Sequence, residues 1–108
     1  MPIEGNRRPF RSKRIDIAPD EPGVYALFRD KELVYIGMSE ESIRVRLQSH
    51  KRGDEKPGTK AVSHFKVEPS SRPKKREDQL LREYQREHDG LLPRHNVQAP
   101  PASAKDRR

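Results

Sequence analysis

Gly23-Val24-Tyr25-Ala26-Leu27-Phe28-Arg29-Asp30-Lys31-Glu32-Leu33-Val34-Tyr35-Ile36-Gly37 reads as two short strands joined by a tight polar turn. Val24 to Phe28 and Leu33 to Gly37 are rich in β-branched and aromatic residues. The connection Asp30-Lys31-Glu32 is short enough to force an antiparallel hairpin. Each strand carries one tyrosine, Tyr25 and Tyr35, ten residues apart. Ser39 is expected to cap a following helix, with Glu40 and Glu41 in its first turn, where negative charge suits the positive helix end. Ile43 and Leu47 would face inward, and Arg46 and His50, four apart, share a neighbouring face. The hairpin and helix together would gather two phenols, a guanidinium and an imidazole.

Upstream, Ala18-Pro19-Asp20-Glu21-Pro22-Gly23 is a turn and marks the domain entrance. Residues 1–17 are polar and basic, with Arg7, Arg8, Arg11, Lys13 and Arg14 close together. They read as a flexible arm, either tracking a phosphate backbone or only solubilising the chain. Downstream, residues 51–60 form a charged loop and Ala61 to Glu68 a third strand. Pro73 suits the first turn of a helix running to about His88 and ended by Asp89-Gly90. The domain is expected to span residues 18–97, with a disordered proline- and charge-rich tail at 98–108. The predicted fold class is α/β, an α+β sandwich with a three-stranded antiparallel sheet flanked by helices.

Composition sets limits. The 108 residues carry a net charge of +7, which favours polyanionic partners. Leu, Ile, Val and Phe number 21, so the core is small. The chain has no cysteine, which removes disulfide, thiolate and zinc-thiolate chemistry and fits a reducing interior. No apolar run approaches a membrane span, and the first residues lack the apolar core of a signal peptide. A cytoplasmic protein (nucleoid-associated if bacterial) with no membrane partner is expected.

The gathered side chains suit phosphodiester cleavage, which needs an activated water, a counter to phosphoryl charge and help for the leaving oxygen. Mg²⁺ or Mn²⁺ held by a carboxylate supplies the last two. A guanidinium such as Arg46 grips phosphate oxygens bidentately. Tyr25 could relay a proton, but an ordinary phenol titrates near 10 and would need a nearby cation or metal-bound water. Each residue also has a plainer role: Tyr25 and Tyr35 as strand aromatics, Arg46 as a surface charge, His50 on the helix dipole, Gly37 as a strand end. Independent plain roles do not account for the joint spacing. For the carboxylate, the last helix offers Glu77, Glu83 and Glu87. Leu80, Leu81 and Tyr84 define its buried stripe; Glu77 falls at the stripe's centre and Glu83 well off it. A carboxylate on an apolar face needs compensation by a metal or an arginine. Asp78 would serve the helix dipole equally well from the solvent side.

These residues resemble the GIY-YIG nuclease family over roughly residues 17–97, and most closely the N-terminal nuclease domain of the excision-repair subunit UvrC. The resemblance implies a three-stranded antiparallel sheet and DNA cleavage with a single divalent metal. It implies that Tyr25 is the general base, that Tyr35 positions water, and that Arg46 contacts the scissile phosphate. His50 would assist by hydrogen bonding or proton transfer. Glu77, in Glu77-Asp-Gln-Leu-Leu-Arg-Glu-Tyr84, would hold the metal, and Asn96, in Pro93-Arg94-His95-Asn96, would brace the site. Met38 stands where UvrC-like domains often carry lysine. The span from Tyr84 to Pro93 is longer than in UvrC, so a register anchored on Asn96 would favour Glu83 as the ligand instead. UvrC's downstream domains are absent, so a stand-alone domain is expected, targeted by its own basic surface or by a protein partner in a larger repair assembly. Arg44, Lys51, Arg52, Lys74, Lys75 and Arg76 are candidates for flanking phosphates. The expected function is a DNA endonuclease of repair, recombination or mobile-element processing; the alternative is a non-catalytic nucleic-acid-binding or complex-recruited module.

Overall fold

Hydrogen-bond register turns the predicted hairpin into one half of a four-stranded antiparallel sheet. The computed structural model describes residue 3, residues 5–55 and residues 58–96. Val97 and the expected tail at 98–108 lie outside the described residues. Strands β1 (Arg8–Pro9), β2 (Gly23–Arg29), β3 (Glu32–Ser39) and β4 (His64–Pro69) lie in the order β1-β4-β2-β3. Helix α1 is Ser12–Ile15, α2 is Ile43–Arg52 and α3 is Pro73–Glu87.

The hairpin turns at Asp30, whose φ of 56° is left-handed, a conformation aspartate tolerates. Tyr25 pairs with Gly37 and Leu27 with Tyr35, while Phe28 pairs with Leu33. Val34 is therefore an extra residue, a bulge that lets Val34 and Tyr35 pack into the same core cluster. Along β2 the side chains alternate between two layers. Tyr25 and Leu27 meet Ile43 and Leu47 of α2 on one face. Val24, Ala26 and Phe28 meet Leu80 of α3 on the other. The result is a sheet sandwiched between helices, as the sequence predicts.

Four expectations are corrected. The sheet has four strands, not three, because Arg8 and Pro9 pair with Phe65 and His64. Residues 8–15 are accordingly part of the fold and not a flexible arm. Three apolar residues scattered among the charges hold them: Ile3, Phe10 and Ile15 are all buried, and Phe10 packs edge-on against Phe65. The cap of α2 is Ser42, whose Oγ accepts from the Val45 amide, while Ser39 Oγ accepts from the Glu41 and Ser42 amides just before it. Glu40 and Glu41 consequently precede the helix. The third strand of the prediction begins only at His64, because Thr59–Ala61 form a 3₁₀ turn. Helix α3 starts at Pro73 as predicted, and its described stripe buries Leu80 and half-buries Leu81 and Tyr84. Among the described residues no helix is long and apolar enough to cross a membrane.

Candidate active site

Sheet register and helix packing bring the predicted set together beside β3. Tyr25 projects from β2 and Tyr35 from β3 onto the α2 face, with ring centroids 6.2 Å apart. A Cβ on Gly37 would lie 2.6 Å from Tyr25 Cζ and 2.7 Å from Tyr35 Cε2. Glycine at that position is what allows both rings to lie over the strand. His50, from the last turns of α2, closes the cluster with its ring edge-on to both tyrosines, centroids 5.4 and 5.3 Å away. Its Nε2 lies 2.7 Å from Tyr25 Oη. Its Nδ1 lies 2.8 Å from Thr59 Oγ1. Tyr25 is 1% exposed, and His50 and Thr59 are fully buried.

Burial sets the electrostatics. It pushes the Tyr25 phenol far above its ordinary range; Tyr35, Glu55 and Glu77 push the same way, and Arg46 alone opposes. Tyr35 is raised by burial and by Glu77, against Arg46 and a hydrogen bond with Tyr25. His50 is driven down to about 4, first by burial and then by the Arg46 charge. At neutral pH the cluster is therefore a chain of uncharged groups with one guanidinium beside it.

Arg46 is 41% exposed in its side chain and reaches Glu55 Oε1 through Nη1 at 3.2 Å. A hollow of about 350 Å³ opens beside it, lined by Met38, Ser39, Ser42, Val45 and Ser49. Glu77 sits on α3 with its side chain 16% exposed and Lys74 Nζ 3.4 Å away, and its charge acts on both tyrosines. Glu83, six residues on, is not among the charges that act on either phenol. Asn96, in the turn Arg94–Asn96, accepts from the Ile36 amide at 2.8 Å and donates to the Ile36 carbonyl at 2.9 Å, bracing β3 at the strand that carries Tyr35.

Among the solved structures that match this fold is the GIY-YIG N-terminal endonuclease domain of UvrC from Thermotoga maritima, a tyrosine point mutant bound to its catalytic divalent cation. The match has a TM-score of 0.57, covers 80% of this chain and 93% of that one, and is 21% identical. The fold is that of a GIY-YIG domain. No protein-family profile matches the sequence, and no curated protein matches it significantly.

In this GIY-YIG fold most of the cations expected at the DNA surface are engaged within the protein. Arg44 Nε donates to the Ala18 carbonyl, and Lys51 Nζ donates to the Phe10 carbonyl while lying over the Phe10 ring. Arg52 pairs with Asp54, and Arg76 grips Glu68 through Nε and Nη2. Lys74 reaches Glu77 and Asp78, and Lys75 is exposed beside Arg72. These contacts hold Arg44, Lys51 and Arg76 to the body; Arg52, Lys74 and Lys75 are exposed.

Two members of the cluster were not legible in the sequence, Thr59 and Glu55. Both lie in the loop that reads as a charged connection. The signal available was its pair of glycines: Gly53, at φ 87°, caps α2, and Gly58, at φ 90°, turns the chain back towards the helix.

The donor set bears on a divalent cation of the kind bound to that neighbour. Among the described residues no three His, Cys, Asp or Glu side chains cluster as a complete metal cage. One half-buried carboxylate, Glu77, whose charge is felt by both phenols, fits a hard cation such as Mg²⁺, which keeps most of its water and takes one or two protein carboxylates. It does not fit a structural zinc, which needs four protein donors.

Proposed function

We propose that this protein is a divalent-metal-dependent DNA endonuclease that hydrolyses phosphodiester bonds. The observation that carries this is the convergence of Tyr25, Tyr35, His50 and Arg46 on a GIY-YIG fold, with Glu77 approaching from the opposite helix layer. That the neighbouring domain is an endonuclease bound to its catalytic divalent cation supports the same reading.

Glu77 would hold the Mg²⁺ or Mn²⁺, which when bound supplies positive charge for the phosphoryl and leaving oxygens. The exposed part of the Arg46 guanidinium grips the non-bridging oxygens. Tyr25 is too deeply buried to stand as a phenolate, so it acts as a relay. Its Oη accepts a proton from the attacking water as its own proton passes to Nε2 of His50, which is neutral and open at working pH. Tyr35, its ring beside that of Tyr25, orients that water. Asn96 holds β3, and with it Tyr35, in register.

DNA is the partner, bound with a steep salt dependence, since neutralising its phosphates releases counterions, and with low sequence specificity. Repair, recombination or mobile-element processing in the cytoplasm, alone or within a larger assembly, suits such an enzyme.

A panel of supercoiled, linear, branched and single-stranded DNA with Mg²⁺ or Mn²⁺ tests the proposal. Cleavage is expected in the wild type and in Glu83→Ala, and is expected to be lost in Glu77→Ala and Arg46→Ala. Loss in Glu83→Ala with activity kept in Glu77→Ala would move the metal ligand to Glu83. No cleavage of any substrate, with DNA binding intact in every variant, would replace the enzyme with a nucleic-acid-binding module.

A further inference from the structure

His50 is neutral at working pH, so its ring carries one proton, and both ring nitrogens have a hydroxyl partner inside the core: Tyr25 Oη at 2.7 Å and Thr59 Oγ1 at 2.8 Å. Which nitrogen carries the proton decides the direction of the whole chain. With the proton on Nδ1, the ring donates to Thr59, and Nε2 accepts from the Tyr25 hydroxyl. With the proton on Nε2, the Tyr25 oxygen is the acceptor, and Nε2 can take nothing from it.

The chemistry of the two hydroxyls favours the first arrangement. A phenol is far more acidic than an aliphatic alcohol, so it is the better donor to an imidazole nitrogen. The threonine oxygen, not conjugated to a ring, is the better acceptor from N–H. Thr59 is itself held from outside the helix: the 3₁₀ turn Thr59–Ala61 follows the left-handed Gly58, and its first residue is fully buried against α2. The hydroxyl is thus delivered to Nδ1 by the loop rather than by the helix that carries the histidine.

We infer that Thr59 is a positioning residue that fixes His50 as its Nδ1–H tautomer and so leaves Nε2 open to the Tyr25 hydroxyl. Its consequence for cleavage rests on the nuclease function proposed above; the tautomer itself does not.

The test uses ¹⁵N-labelled full-length protein. Ring nitrogen shifts of His50 are expected to report a protonated Nδ1 and an unprotonated Nε2. Thr59→Val, close in shape but without the hydroxyl, is expected to shift the proton towards Nε2 and to lower kcat on the order of 10²-fold with KM unchanged. Thr59→Ser is expected to restore both. A protonated Nε2 in the wild type would overturn the inference, and that measurement stands even if Thr59→Val does not fold. A shifted tautomer with unchanged kcat would overturn the positioning role. A wild type that cleaves no DNA would sink the proposed function while leaving the tautomer measurement decisive here.

Discussion

Replacing Gly37 by alanine should damage both stability and catalysis through a single methyl group. The added Cβ would stand 2.6 Å from Tyr25 Cζ and Oη and 2.7 Å from Tyr35 Cε2. Non-bonded atoms rest near 3.5–4.0 Å, so each ring must retreat by roughly 1 Å. Neither has room: both pack against His50, and Tyr25 is tied to it by the 2.7 Å hydrogen bond. Overpacking of this kind costs about 1–3 kcal/mol. Breaking the buried Tyr25–His50 bond and leaving its partners unpaired adds about 1–3 kcal/mol more. Against a total of about 5–15 kcal/mol for a domain, the loss would be plain in urea denaturation as a lowered midpoint with an unchanged slope. Gly90→Ala is the control. Its φ of 84° strains an alanine, but the space around it is open, so the expected loss is roughly 1–2 kcal/mol from backbone alone, with cleavage unaffected. A Gly37→Ala protein that loses less than about 0.5 kcal/mol would refute the close packing of the two tyrosines over β3.

Two other perturbations test His50 and the brace on β3. His50 binds its proton far less readily folded than unfolded, its value falling from 6.5 to about 4, so its contribution to stability is complete above pH 6.5 and is lost as pH falls towards 4. The loss amounts to about 3 kcal/mol; His50→Phe should flatten the stability profile between pH 4 and 7 relative to wild type, and matching profiles would contradict the buried neutral imidazole. Asn96→Leu removes both hydrogen bonds to Ile36 and should cost about 1–3 kcal/mol while accelerating amide exchange at Ile36; unchanged protection of that amide would show that β3 does not depend on the brace.

What the sequence made legible is what short-range pattern encodes. The β2–β3 hairpin follows from two β-branched runs and a three-residue polar turn, and α3 from Pro73 and the Leu80, Leu81, Tyr84 stripe. Glu77 was readable as an anomaly on that stripe, and its field does reach both phenols. The Arg46 and His50 spacing placed them on one face because a helix repeats every three to four residues. The misses all depend on distant partners. A two-residue β1 and a four-residue α1 have no period to detect; Phe10 and Ile15 become core only because β4 and α2 stand ready to cover them, and Ile3 only because it packs with β2, β3 and Leu80 on the other face. Ser39 and Ser42 are equally good caps on paper, and the chain's path out of β3 chooses between them. Thr59 and Glu55 sit in a stretch dominated by charge, where polarity hides a buried hydroxyl and an ion pair with Arg46.

The docking of β1 on β4 also orders the assembly of the molecule in time. Arg8 and Pro9 are made before their partners Phe65 and His64, which follow about half this chain's length later. Until β4 exists, Phe10 and Ile15 have no finished sheet to cover, while β2, β3 and α2 can already find one another through local contacts. The segment around β1 is therefore made well before the strand it docks on, and until β4 follows its apolar residues lack that partner. A nascent chain stalled before residue 64 would present the apolar side chains of that segment to chaperones, whereas the finished protein buries Phe10 and Ile15 and leaves Arg8, Arg11, Lys13 and Arg14 exposed.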